Sequence, residues 1–159
     1  MKISYRHTTI LFLLAVSLSM FSCDQNRFFE QNIEIQDNRW AQEEMIKFQV
    51  DISDTNSLYN FYLNIRNAND YPFANIYLFI ETTFPDANSA RDTIEFQLAD
   101  QSGQWLGEGY GKFKYSHFIL REAMRFGQQG VYEFSVEQGM RKDTLVGITD
   151  IGIRLEYYP

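Results

Sequence analysis

An all-β fold, a single antiparallel β-sandwich of about eight strands, is predicted by three observations. Run after run carries an apolar side chain at every second position, the spacing that gives a strand one buried and one wet face. Tyrosine and phenylalanine, residues that favour strands, supply 24 of the 159 residues, while proline supplies 3. Clusters of Asn, Asp, Ser, Gly and Pro punctuate the runs at the short intervals of a sandwich or barrel, and the sandwich is the preferred reading.

The chain opens on something else. Lys2 and Arg6 precede an apolar run from Ile10 to Phe21, the layout of a secretory signal. As a helix that run spans roughly 18 Å, well short of the roughly 30 Å of a hydrocarbon core, so it is a poor permanent anchor. It ends at Ser22-Cys23, which is similar to a bacterial lipobox, with Met20 and Phe21 where leucine and a small residue are more usual. Cys23 is the single cysteine of the chain, so no intrachain disulfide or cysteine-rich zinc site is available. The polar Asp24-Gln25-Asn26 that follows opposes a buried core thiol. The nearest histidine, His7, would leave with the signal, which opposes a catalytic one. The sequence therefore predicts a cleaved lipoprotein signal peptide over 1–22, a lipidated Cys23 with a polar tether over 23–32, and a sandwich domain over 33–159. Two or more acyl chains on Cys23 would hold that domain stably at a membrane surface.

Within the domain, Ile46, Phe48, Val50 and Ile52 form one strand face, and Tyr59, Phe61, Leu63 and Ile65 the next. "NIYLFIETT" (75–83) is apolar on both faces for several residues and suits a central strand. Alternation returns with Ile94, Phe96 and Leu98, with Tyr132, Phe134 and Val136, and with Ile151, Ile153, Leu155 and Tyr157. Residues 117–126, "HFILREAMRF", admit two readings: a strand beginning at "YSHFIL", or a short helix with Ile119, Leu120, Ala123, Met124 and Phe126 roughly on one face.

Charge and chemistry narrow the function. The formal charge is −7, and loss of 1–22 with Lys2 and Arg6 and no acidic residue takes it to −9. An acidic surface without a basic cluster repels phosphate backbones, so nucleic acid is not an expected partner. His117 is the histidine that remains after cleavage, and no G-x-S-x-G elbow accompanies it. "DISDTN" lacks the glycine and terminal glutamate of a calcium loop. No enzyme, metal or cofactor is expected. "GQWLGEGYGKFK" (103–114) is the most unusual stretch: Gly107, Gly109 and Gly111 alternate beside aromatic residues, permitting close backbone approach. Trp105 and Tyr110 in it are the candidate contacts for a partner protein or a glycan.

Taken in order, Cys23-Asp24, Trp40, "YNFYLNIRNANDYPFANIYLF" with Arg66, Tyr71, Pro72 and Asn75, "DTIEFQLAD", "GQWLGEGYG", "GVYEFSVEQGMR" and "LVGITDIGIRLE" resemble the gliding-motility lipoprotein GldH family of the Bacteroidetes. The resemblance covers the whole chain after the signal. It implies a lipid-anchored envelope protein, favoured at the outer membrane, with gliding and type IX secretion proteins as partners and no enzymatic step. The alternative is a glycan-binding envelope lipoprotein. In that setting Asp92-Thr93-Ile94 and Asp143-Thr144-Leu145 resemble short O-glycosylation signals of exported proteins, making Thr93 and Thr144 candidate sites. The plainer reading is that Asp and Thr mark strand starts.

Overall fold

A computed structural model describes residues 26–159; the signal segment and Cys23 lie outside the described residues. The strands are β1 (Arg27–Glu34), β2 (Arg39–Ala41), β3 (Ile46–Ile52), β4 (Tyr59–Ala68), β5 (Asn75–Thr83), β6 (Ser89–Gln97), β7 (Phe113–Met124), β8 (Gly130–Gln138), β9 (Thr144–Val146) and β10 (Ile148–Tyr157), with one 3-10 turn (Gln36–Asn38). Eight of them are long. They form two four-stranded sheets, β1-β10-β4-β7 and β3-β8-β5-β6, and the short β2 and β9 make a two-stranded ribbon. All pairings are antiparallel.

The predicted faces are buried except at two positions: Ile94 is half-buried and Tyr157 is exposed. In β3, Ile46, Phe48, Val50 and Ile52 are buried and Lys47, Gln49 and Asp51 exposed. The sheets meet through ring contacts such as Phe61 against Phe134, 4.8 Å between centroids, and Phe96 against Phe118, 4.9 Å. One apolar cluster runs through both sheets. β5 lies inside its sheet, between β8 and β6, as its two-faced apolarity predicts. Its second face is finished by polar partners: the Tyr77 hydroxyl donates to Glu95, 2.7 Å, and the Arg91 guanidinium covers the Phe79 ring at 4.7 Å.

Two boundaries differ from the sequence reading. The tether expected through residue 32 gives way to a strand at Arg27, where β1 pairs with β10 from Arg27↔Glu156 to Glu34↔Asp150. An edge strand with one wet face needs few apolar residues, so this one reads as polar. The ambiguous 117–126 segment is strand through Met124. Register shifts opposite Tyr59, Phe61 and Tyr62, and a positive φ at Ala123, break the alternation there. Two extra residues in β7, one between Ile119 and Arg121 and one between Arg121 and Met124, are what imitate a helical spacing.

Register also fixes the ends of the molecule. Arg27, Tyr157, Tyr59 and Met124 share one end of the first sheet, and Phe126 joins it to Tyr132 of the second through ring contacts. At the opposite end lie the ribbon and the loops 69–74, 98–112 and 139–143.

Candidate functional site

The outer face of the β1-β10-β4-β7 sheet is a grid of polar side chains in register. One cross-strand row reads Asn32, Gly152, Asn64, His117; the next reads Glu30, Arg154, Tyr62, Ile119. In the first row Gly152 supplies no side chain. A Cβ there would fall 1.9 Å from Asn32 Oδ1, so only glycine lets the Asn32 amide reach over β10 toward β4. Asn64 Nδ2 donates to Asn32 Oδ1, 3.0 Å, and to Glu30 Oε1, 3.2 Å. Asn64 is 1 % exposed although it faces outward. Its neighbours cover it, and its hydrogen bonds offset the desolvation of a polar group.

With both Nδ2 hydrogens directed at oxygens, Asn64 Oδ1 faces His117 Nδ1 at 2.5 Å. An amide oxygen only accepts, so this Nδ1 carries the hydrogen and Nε2 of the neutral ring is the acceptor. Burial, with the nearby Arg154 charge, holds the His117 pKa below its usual value despite the opposing pull of Glu156 and Glu30. The imidazole stacks on Tyr62 with centroids 4.4 Å apart. Glu30 Oε2 accepts from Arg154, 3.0 Å, and Arg27, 3.3 Å, while Arg154 Nε also donates to Glu156, 2.5 Å.

A groove of about 510 Å³ opens beside this grid, reached from it by Glu30, Arg154 and His117 and lined also by Tyr115, with Leu106 and Glu108 on its rim. The rim belongs to the glycine-rich loop. Glu108 and Tyr115 exchange two backbone hydrogen bonds of 2.8 Å, and a Cβ on Gly107 would sit 2.9 Å from the Tyr115 carbonyl. The bare backbone expected of the alternating glycines thus lets this loop lie against β7. A second hollow, about 390 Å³ and mainly apolar, opens between the edge strands β6 and β7, with Arg121 and Asp92 paired across it at 3.4 Å.

The predicted contacts Trp105 and Tyr110 share the loop but form no ring pair. Trp105 is half-buried against the core, 6.4 Å from Tyr71, while Tyr110 stands free at 104 % exposure. Thr93 is exposed on the edge strand β6; Thr144 is half-buried in β9, paired with Ala41. Among the described residues no group of three or more His, Cys, Asp or Glu is placed to hold a metal ion. No described helix is long and apolar enough to cross a membrane. The polar grid went unseen in the sequence, although a glycine in mid-strand at "DIGIRLEY" is a sign of close approach.

A family model described as GldH lipoprotein matches residues 27–155. The chain belongs to the GldH lipoprotein family. Gliding motility lipoprotein GldH homolog of Christiangramia forsetii is 34 % identical over 154 residues, covering 92 % of this chain and 94 % of that one. Gliding motility lipoprotein GldH of Flavobacterium johnsoniae is 30 % identical over 151 residues, covering 91 % and 93 %. Among solved structures, a family 115 4-O-methyl-α-glucuronidase overlays 84 % of this chain and 18 % of its own, at 6 % identity and a TM-score of 0.44, a likeness too loose to carry an argument. As a GldH-family chain this is a gliding-motility lipoprotein of the cell envelope.

Proposed function

We propose that this protein is exported by residues 1–22, is cut before Cys23, carries lipid on that cysteine, and works without catalysis as an assembly module for gliding and type IX secretion proteins at the outer membrane. The direction of β1 is the observation that supports this reading most. The strand begins four residues after Cys23, at the end of the sandwich where Tyr59, Met124 and Tyr157 lie. Four extended residues reach at most about 14 Å. A lipid on Cys23 therefore keeps that end at the membrane, and a strand as long as β4, 10 residues, carries the opposite end roughly 33 Å away. The loop with Trp105, Leu106 and Tyr110 is then presented outward, where a partner buries its apolar side chains.

The test has two arms. Cys23→Ala in the native host leaves an unacylated precursor and abolishes gliding; normal mature, membrane-bound protein in that variant would refute the lipid anchor. A photo-crosslinking residue at Tyr110 captures an envelope protein, whereas one at Tyr158 beside the anchored end does not. Equal capture from both positions would remove the outward loop from the proposal. Of the two glycosylation candidates, exposed Thr93 is the accessible one, and the intact mass of its peptide from the host reads any added sugar.

A further inference from the structure

We propose that the groove lined by Glu30, Glu108, Tyr115, His117 and Arg154, at the His117 end of the Asn32-Gly152-Asn64-His117 row, binds a neutral saccharide. The inference goes beyond the anchored assembly module and does not depend on it.

The floor of the groove is set before any ligand arrives. Asn64 is held by two acceptors and in turn fixes the His117 ring, leaving Nε2 as a hydrogen-bond acceptor. Glu30 is clamped by Arg154 and Arg27, and Arg154 by Glu30 and Glu156. Groups held this firmly lose little conformational freedom on binding, which favours affinity for a small polar ligand. The room for this arrangement comes from Gly152, where a side chain would displace Asn32. Glycine in mid-strand weakens a sheet, so its place here is accounted for by the polar network rather than by the ladder.

The chemistry of the lining selects the ligand class. The His117 Nε2 acceptor and the Glu108 carboxylate stand beside the Tyr115 hydroxyl donor, with the Glu30–Arg154 pair closing one side. A sugar hydroxyl both donates and accepts, so a polyol can satisfy such an alternating set at close spacing. A polyanion meets two glutamates and an acidic protein. A cation finds Glu30 already holding two arginines. An alkyl chain would desolvate the charged floor without replacing its hydrogen bonds. Leu106 and the Tyr115 ring supply the apolar wall that a sugar's C–H face needs. The volume, about 510 Å³, lies in the range of small-molecule sites.

The experiment uses the full mature chain in a detergent without sugar, lauryldimethylamine oxide, titrated with maltotriose, cellotriose, chitotriose and mannotriose by NMR. At least one trisaccharide binds saturably and shifts resonances of β1, β7 and β10 and of the loop at Leu106 to Glu108. Tyr115→Ala and His117→Ala each weaken it about tenfold or more, equivalent to losing one good contact. Tyr110→Ala at the loop tip leaves it within about twofold. His117→Gln, which keeps an acceptor, recovers part of the loss and guards against misfolding of the alanine variant. The affinity also changes as the pH drops through the His117 titration, because protonated Nε2 turns from acceptor to donor. No saturable binding of any of the four at about 10 mM would overturn the proposal, as would equal affinity in wild type and both alanine variants, or an extended peptide occupying the groove while the sugars remain inert.

Discussion

The β1-β10-β4-β7 sheet has two faces made from alternate residues of the same strands, and they hold together by different means. On the inner face Leu63, Ile65, Ile151, Ile153 and Leu155 are fully buried, and each contributes area removed from water without regard to direction. On the outer face Asn32, Asn64, His117, Glu30 and Arg154 hold one another by directed hydrogen bonds. Asn64 is as deeply buried as its inner-face neighbours. The difference is tolerance. An apolar face accepts any shape that fills space, whereas a polar one fails when a single partner moves.

Substitutions separate the two faces. Leu63→Ala should have the largest effect, a loss of about 2–5 kcal/mol by urea denaturation, since it opens a cavity in a dry core. Gly152→Ala should cost about 1–3 kcal/mol by displacing Asn32 and leaving Asn64 short of a partner. In an Asn32→Ala background the same change should cost much less, and a double-mutant cycle measures that coupling; additive losses would mean that the strand ladder, and not the amide, feels the new Cβ.

A smaller effect distinguishes the faces by pH. The folded His117 pKa lies below its usual value, mainly through burial, so the unfolded chain binds the proton more readily. Stability from this group is at its full value above about pH 6.5 and declines as the pH falls toward the folded pKa. His117→Gln should flatten that slope in a series of urea melts, and Leu63→Ala should not. Smallest of all, Tyr110→Ala should change stability by under about 0.5 kcal/mol, because that ring touches nothing that folding orders.

The inner face was legible in the sequence because burial on one side writes a period of two, as Ile46 to Ile52 and Tyr59 to Ile65 show. The same logic failed where the sheet departs from regular pairing. β1 carries too few apolar residues to announce itself, and the two extra residues between Ile119 and Met124 shift the period toward that of a helix. The outer-face site was out of reach for another reason. Asn32, Asn64, His117 and Gly152 are far apart in the chain and become neighbours only through the order β1-β10-β4-β7, which no local pattern encodes. Trp105 and Tyr110 stood out in the sequence by composition, yet the loop places one against the core and the other in solvent.

The antiparallel pairing of β1 with β10 also has a mechanical meaning. A pull applied through the N-terminus against the far end of the sandwich runs along the strand, so the rungs from Arg27↔Glu156 to Glu34↔Asp150 are loaded in shear and share the force. Pulled instead between its two termini, which leave the sandwich side by side, the same ladder would peel open one rung at a time. The ladder is therefore better placed to resist the pull that the proposed lipid anchor on Cys23 would transmit than one between the two termini.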